Sequence, residues 1–250
     1  MPTFKDHFSH TSLEYSQSRP QYPAMLFEKL ASLVKHHELV WDCATGNGQA
    51  AVNLAKYFAK VIATDASEQQ IHHAKVYKNI EYRIALAENS GLENHSVDLV
   101  TVAQALHWFD FEKFYKEVRR VIKPGGVLAA WAYDFLQVDE VQLNQLIQEF
   151  YWEIIGSYWP PERKYFNSRY QDIPFPFEEI DMPEIVLHLK WTFERLFQHI
   201  STSSAVKYYQ QANQENPVRT WLQPRIQKLY PDLRKIMHFH SPLFFRVGRC

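Results

Sequence analysis

At 250 residues the chain suits one large domain, or one domain carrying an elaborated cap. Hydrophobic residues at 46% and charged residues at 22% allow an ordinary buried core. A formal net charge of -1 and a pI of about 6.9 provide no footprint for DNA or RNA, so a small-molecule partner is favoured over a polyanion.

In chain order, residues 24–36 place Met25, Leu26, Leu30, Leu33 and Val34 at helical spacing. Glu38 to Cys43 reads as a short buried strand, closed by Ala44-Thr-Gly-Asn-Gly48. Gln49 to Lys60 switches to helical period, and Val61 to Asp65 forms a second buried strand. Ser67 is placed to cap the next helix, with Gln70 three residues on. Ile80 to Leu86 and Val97 to Ala103 are two further strands. Asp110 to Ile122 is helical and stops at Lys123-Pro-Gly-Gly126; Val127 to Tyr133 is a fifth strand. This alternation predicts a parallel, doubly wound α/β sheet. After Asp134 the rhythm breaks. Gln142 to Tyr151 is helical, and a loop-rich stretch punctuated by Trp159-Pro-Pro161 and Ile173-Pro-Phe-Pro176 follows. Ile185 to Thr192 resembles a strand, residues 193–230 are mostly helical, and Ile236 to Arg249 is a final strand. One domain spanning 1–250 is expected, with a cofactor-binding core over 10–133. An insert over about 135–182 would cap the substrate, and 183–250 would supply the C-terminal strands and helices.

No apolar run reaches the ~18 residues of a membrane span, and Met1-Pro-Thr-Phe-Lys-Asp6 lacks the apolar stretch of a secretory signal. Cys43 and Cys250 lie far apart without CxxC spacing, so neither a disulfide framework nor a zinc site is expected. His36-His37 and His72-His73 are adjacent pairs whose side chains diverge on helices. His238 and His240 share a strand face but lack a third ligand. The expectations are a cytoplasmic protein with no metal, no membrane contact and no obligate protein partner.

Gly46-Asn-Gly48-Gln-Ala-Ala51 fits G-x-G-x-x-G/A between a strand and a helix, where glycine permits positive φ and close ligand approach. Asp65 ends the second strand 19 residues after Gly46, where a carboxylate can accept both ribose hydroxyls. The loop alone does not separate a nicotinamide dinucleotide from S-adenosylmethionine. Asp42 helps, because a carboxylate beside the loop repels a pyrophosphate and attracts a cationic methionine end.

Asp42-Cys-Ala-Thr-Gly-Asn-Gly48 resembles the D-x-G-x-G-x-G loop of the class I S-adenosylmethionine-dependent methyltransferases, with Ala44 in place of the first glycine. Ala87-Glu88-Asn89, Ser96-Val-Asp-Leu-Val100, Gln104-Ala-Leu-His-Trp108 and Glu117 to Gly126 are similar to the ordered blocks of the type-11 family. Tyr15-Ser-Gln-Ser-Arg-Pro-Gln-Tyr-Pro23 and His107-Trp108 resemble the group related to trans-aconitate methyltransferase. The resemblance implies a seven-stranded sheet in the order 3-2-1-4-5-7-6 with the last strand antiparallel. It also implies S-adenosylmethionine as cofactor and methyl transfer to a small molecule, at the oxygen of a carboxylate.

The same resemblance implies cofactor contacts from Tyr15, Arg19, Asp42, Ala44, Gly46, Gly48, Asp65 and Ala66. Ala87 and Glu88 would lie around the adenine, with Gln104 and Ala105 near the methionine part. His107 and Trp108 are the catalytic candidates: His107 as a general base or a satisfied core histidine, Trp108 as a flat wall beside the methyl. Substrate candidates are Tyr22, Trp131, Tyr133, Trp159 and Arg163. Core packing competes evenly for the aromatic residues, Tyr158 included, and a solvated charged face competes for Arg163, Lys164 and Arg169. A nicotinamide-dependent oxidoreductase, or a cofactor-binding protein without turnover, are the alternative functions.

Overall fold

The computed structural model describes residues 19–250. Helix α1 (Ala24–Ser32) buries Leu26, Phe27, Leu30 and Ala31. The alternation then follows as β1 (Leu39–Cys43), α2 (Gln49–Leu54), β2 (Lys60–Asp65), α3 (Glu68–His72), β3 (Ile80–Ile84), β4 (Val97–Ala103), α4 (Phe111–Val121) and β5 (Ile122–Tyr133). Helix α2 is shorter than its periodicity predicts. Its last turn tightens into three-residue bonds, Lys56 N to Asn53 O and Tyr57 N to Leu54 O. Ser67 caps α3 by accepting the Gln70 amide at 3.3 Å, as the capping-box spacing predicts.

Strands β1 to β5 are parallel in the order β3-β2-β1-β4-β5; β1, β2, β4 and β5 are mostly buried and rich in β-branched residues, while the edge strand β3 is only half-buried. Alternation along β5 sends Val127, Ala129, Trp131 and Tyr133 to one core, against α1 and the C-terminal helices. Leu128, Ala130 and Ala132 go to the other, against α4.

Beyond β5 come β6 (Gln137–Val138), α5 (Val141–Glu149), α6 (Arg163–Asn167), β7 (Glu178–Glu179), β8 (Val186–Thr192), α7 (Phe193–Ser201), α8 (Ser204–Asn213), α9 (Gln223–Leu229) and β9 (Ile236–Arg249). The sheet has nine strands where seven are expected, although the antiparallel last strand against β5 is present. The reason is a break in two strand lines. On one edge of β9, β5 pairs as far as Tyr133↔Leu243 and β6 resumes at Gln137↔His240. On the other edge, β7 pairs with Gly248 and Arg249, and β8 begins at Val186↔Pro242. Pro242 has no amide hydrogen to give, and the β5–β6 line lapses beside it; on the other edge Pro242 is paired with Val186 and the gap falls between there and Gly248.

That break positions the site. Between Tyr133 and Gln137 the chain has three residues where β9 has two, so Asp134, Phe135 and Leu136 form a bulge. The Asp134 amide donates to Pro242 O at 3.0 Å and the Ser241 hydroxyl to Asp134 O at 2.7 Å, which fixes the bulge. The segment predicted as loop-rich contains more helix than expected. Helix α5 runs into a π turn (Phe150–Ile154) closed by Ile155 N to Phe150 O at 3.0 Å. A 3-10 turn (Gly156–Tyr158) and α6 follow.

Candidate active site

The turn leaving β1 is held in left-handed backbone: φ is 53° at Ala44, 57° at Gly46 and 82° at Gly48. Ala44, where the methyltransferase pattern has glycine, therefore adopts the glycine conformation and carries its steric cost. At Gly48 the absent side chain is itself required, because a Cβ would overlap the Tyr82 hydroxyl and reach its Cζ at 2.9 Å. Asp65, at the end of β2, accepts the Gly46 amide on Oδ2 at 2.8 Å and the Ser67 amide on Oδ1 at 2.9 Å. These two bonds hold the carboxylate between the turn after β1 and the turn after β2, at the mouth of the loop. Ala66 follows it on the same turn.

Asp42 faces Thr101 directly across β1 and β4. The Thr101 hydroxyl donates to Oδ1 at 2.7 Å and the Thr45 hydroxyl donates to Oδ2. The side chain is fully buried, and desolvation pushes its pKa up to about 6 against the opposing hydroxyl bonds. Asp42 has no surface with which to touch a ligand. It fixes the loop through Thr45 and contributes its field from below.

Two further turns complete this edge of the sheet. Ala87 is buried, and Glu88 Oε1 accepts the Asp110 amide at 3.1 Å, joining the turn after β3 to the start of α4. After β4, Gln104 sits at φ 62° with its amide on Trp131 O at 2.8 Å. Its Nε2 is buried and has no partner among the described residues. A strained residue with an orphaned donor at a strand end is the signature of a group waiting for a ligand. Ala105 then leads into a 3-10 turn (Leu106–Trp108) that presents His107 and Trp108.

Gln104, His107 and Trp108 open onto a cavity of about 100 Å³. The β5–β6 bulge contributes Asp134, Phe135 and Leu136 to its wall, and the insert contributes Tyr151, Trp159, Arg163 and Phe166. The π turn places Tyr151 there, packed on Phe135 at 4.5 Å. Arg19 donates to the Tyr133 hydroxyl at 2.9 Å at the other side. His107 is buried; its Nδ1 meets the Tyr170 hydroxyl at 3.0 Å and its ring lies 4.8 Å from Trp108. Desolvation first, and then the nearby Arg163 charge, lower its pKa to about 3. Burial thus favours the neutral imidazole and, of the two roles expected for His107, the satisfied core histidine.

Arg163 is the distinctive group. Its guanidinium carbon lies 3.6 Å from the Phe166 ring centre and 4.3 Å from those of Phe135 and Trp159. Its Nε is buried without a hydrogen bond among the described residues, and burial lowers its pKa to about 10. Cation–π contacts return ~0.5–2 kcal/mol each, against a desolvation cost of several kcal/mol for an unpaired ion. An anion entering the cavity would close that gap.

Other expectations are redistributed. Trp131 is fully buried, and Tyr22 packs edge-on over it at 5.6 Å, so both belong to the core rather than to the cavity. Tyr133, Trp159 and Arg163 do line the cavity. Arg169 is spent on Asp134 at 2.7 Å, and Lys164 lies exposed against Tyr165. Tyr158 accepts a hydrogen bond from Asn213 outside the cavity. Tyr15 lies outside the described residues. Phe135, Tyr151, Phe166 and Tyr170 have site positions that no motif signals, since Tyr170 meets His107 across 63 positions of sequence.

A parallel sheet with a glycine turn after β1, an acid ending β2 and ligand-facing turns after β3 and β4 defines a nucleoside-cofactor enzyme of the doubly wound type. A methyltransferase-domain family matches residues 41–130. A methyltransferase of Dictyostelium discoideum is 40% identical over 191 residues, covering 74% of this chain and 71% of that protein. A Saccharomyces cerevisiae protein named as an S-adenosylmethionine-dependent methyltransferase is 28% identical over 149 residues, 56% of this chain and 50% of its own. A solved structure described as a type II methyltransferase from Anaeromyxobacter dehalogenans superimposes with a TM-score of 0.85 at 33% identity. It covers 92% of this chain and 97% of the other. The chain belongs to the class I S-adenosylmethionine-dependent methyltransferases, and its cofactor is S-adenosylmethionine. The nicotinamide alternative is thereby set aside. Among the described residues no helix is long and apolar enough to cross a membrane.

Proposed function

We propose that this enzyme transfers the methyl of S-adenosylmethionine to a carboxylate oxygen of a small molecule held in the cavity beside His107. The observation that carries the reading is the unpaired, aromatic-boxed guanidinium of Arg163 in the cavity wall. The resemblance of residues 15–23 and His107-Trp108 to the trans-aconitate methyltransferase group also supports an acid acceptor.

The residues present suit the cofactor. The main chain at Ala44, Gly46 and Gly48 would carry its methionine and ribose portions close in, with Asp65 and Ala66 at the ribose. Ala87 and Glu88 would flank the adenine; Gln104 and Ala105, with Arg19 and Tyr15, would lie at the methionine end. The left-handed turn through Gly46 and Gly48 supplies close main-chain approach, and Gln104 Nε2 an orphaned donor that such a ligand uses. When bound, S-adenosylmethionine supplies an electrophilic sulfonium methyl, which an anionic oxygen takes without any proton moving.

The chain's own task is then alignment and exclusion of water. Arg163 binds the acceptor's carboxylate and orients it. His107, kept neutral, serves as a polar wall rather than a base. Asp134 lines the cavity as the ion-pair partner of Arg169. An acceptor already ionised at neutral pH needs no base. The insert over 135–182 acts as the cap of this site through Tyr151, Trp159 and Arg163. The free thiols Cys43 and Cys250 support a reducing, cytoplasmic setting.

Incubation with methyl-labelled S-adenosylmethionine and a panel of small acids, phenols, amines and thiols tests the reading. Alkali-labile methyl esters are expected from the acids. Label found only in alkali-stable ethers, amines or thioethers would overturn it.

A further inference from the structure

We infer that the corner formed by α9 and the start of β9 docks the protein on an anionic phospholipid surface. The inference goes beyond the proposed reaction and does not rest on it.

Charge is segregated along the chain. Residues 185–250 hold ten Lys and Arg against three Asp and Glu, whereas residues 1–184 hold seventeen against twenty-five. The whole-chain value of -1 averages over this division. Half of the ten cations fall between Asn216 and His238: Arg219, Arg225, Lys228, Arg234 and Lys235, all solvent-exposed. Asp232 is the single acid of that stretch. Lys190, paired across β8 and β9 with His238, extends the basic surface. Two acids of the neighbouring segment approach it and have partners: Glu140 takes the Tyr230 hydroxyl, and Asp139 lies 3.9 Å from His240.

Aliphatic side chains stand bare among these cations. A π turn (Val218–Leu222) runs into α9, and Leu222 and Ile226 bury the inner side. Arg225 lies on the outer side with Lys228 and Leu229, three and four residues on, so two cations and a leucine share one face. Leu229 is 42% exposed, and Ile236, which opens β9 just beyond, is 60% exposed. Val141, next to Glu140, adds a third aliphatic at 66%.

The mixture selects the partner. A single-stranded nucleic acid stacks its bases on open rings, but Arg225 lies over Trp221 at 4.2 Å and Lys235 over Tyr230 at 5.1 Å. A phosphate backbone would also leave Leu229 and Ile236 in water. At a phospholipid surface the cations meet headgroup phosphates, while the aliphatics enter the boundary with the acyl chains. Attachment of this kind uses no membrane-crossing helix.

The test sediments the full chain with vesicles of phosphatidylcholine alone and with about one-third phosphatidylserine, at low salt and at about 1 M salt. Partition onto the anionic vesicles is expected to be at least about tenfold stronger than onto the neutral ones, and to fall in high salt. Arg225→Glu with Lys228→Glu should remove that preference. Leu229→Ser with Ile236→Ser should weaken anionic binding at least about threefold at unchanged charge. Lys56→Glu with Lys116→Glu changes net charge equally on other surfaces and should bind as the parent does. Parental affinity for S-adenosylhomocysteine reports that each variant is folded. Equal binding to the two vesicles overturns the inference, as does parental binding by the serine variant or equal loss in the Lys56 and Lys116 variant. Tighter binding to single-stranded RNA than to anionic vesicles overturns it too. So does a dimer, seen without lipid by analytical ultracentrifugation, that the Arg225 and Lys228 changes dissolve.

Discussion

Gly46 donates its amide hydrogen to Asp65 Oδ2 at 2.8 Å, and Ser67 donates to the other oxygen of the same carboxylate at 2.9 Å. One side chain thus ties the turn after β1 to the turn after β2. The two residues lie 19 apart in sequence and meet because β1 and β2 are adjacent and parallel.

Asp65→Ala is expected to weaken S-adenosylhomocysteine binding by about 1–3 kcal/mol, roughly 5- to 150-fold, through loss of charge-assisted hydrogen bonds. Asp65→Asn, which keeps one carbonyl oxygen for the loop amides, should lose less. Titration calorimetry on both variants is the check, and parental affinity in Asp65→Ala removes the ribose assignment.

Gly48→Ala forces a methyl into Tyr82 at a φ of 82°. Left-handed strain of ~1–2 kcal/mol and overpacking of ~1–3 kcal/mol add to a Tm loss of about 8 °C, with cofactor binding reduced at least tenfold. Adding Tyr82→Leu should return part of the stability, since it removes the overlap and leaves the backbone strain. A double variant as unstable as the single would show that Tyr82 is not the obstacle.

Ala44→Gly works in the opposite direction. Ala44 stands at φ 53°, so glycine relieves ~1–2 kcal/mol of strain while adding ~0.5–1 kcal/mol of unfolded-state entropy. A Tm rise of about 2 °C is expected by calorimetry or circular dichroism. A fall in Tm would mean that the alanine methyl makes packing contacts worth more than the strain.

His107 sets an acid limit on stability. Its imidazole titrates near 6.5 when unfolded and near 3 when folded. Between those values the unfolded chain holds the extra proton, so stability falls as pH drops below about 6.5 and goes on falling to about 3. At pH 4 the loss amounts to ~3 kcal/mol relative to neutral pH. His107→Gln should flatten that slope in denaturation series from pH 7 to 4. An unaltered slope would show that His107 is protonated in the folded protein.

The sequence by itself determined the parallel core, the left-handed turn after β1 and the carboxylate that ties it to β2. These depend on local signals: buried β-branched runs, glycines where φ is positive, and a carboxylate at a fixed distance along the chain. It also predicted the antiparallel closing strand through family resemblance. The acceptor cavity was decided only by tertiary structure. Tyr22 and Trp131 carry the same aromatic signal as Tyr133 and Trp159, yet α1 covers Trp131 and leaves Tyr133 at the cavity. The bulge at Asp134–Leu136 lies opposite Pro242, more than a hundred positions away, which offers that edge no amide hydrogen. Arg163, Lys164 and Arg169 look alike as a basic cluster. Their separate fates follow from which neighbours the fold brings to each: three aromatic rings, open solvent and Asp134. Composition and spacing hold no record of such contacts, because they arise between segments distant in sequence and are selected by packing.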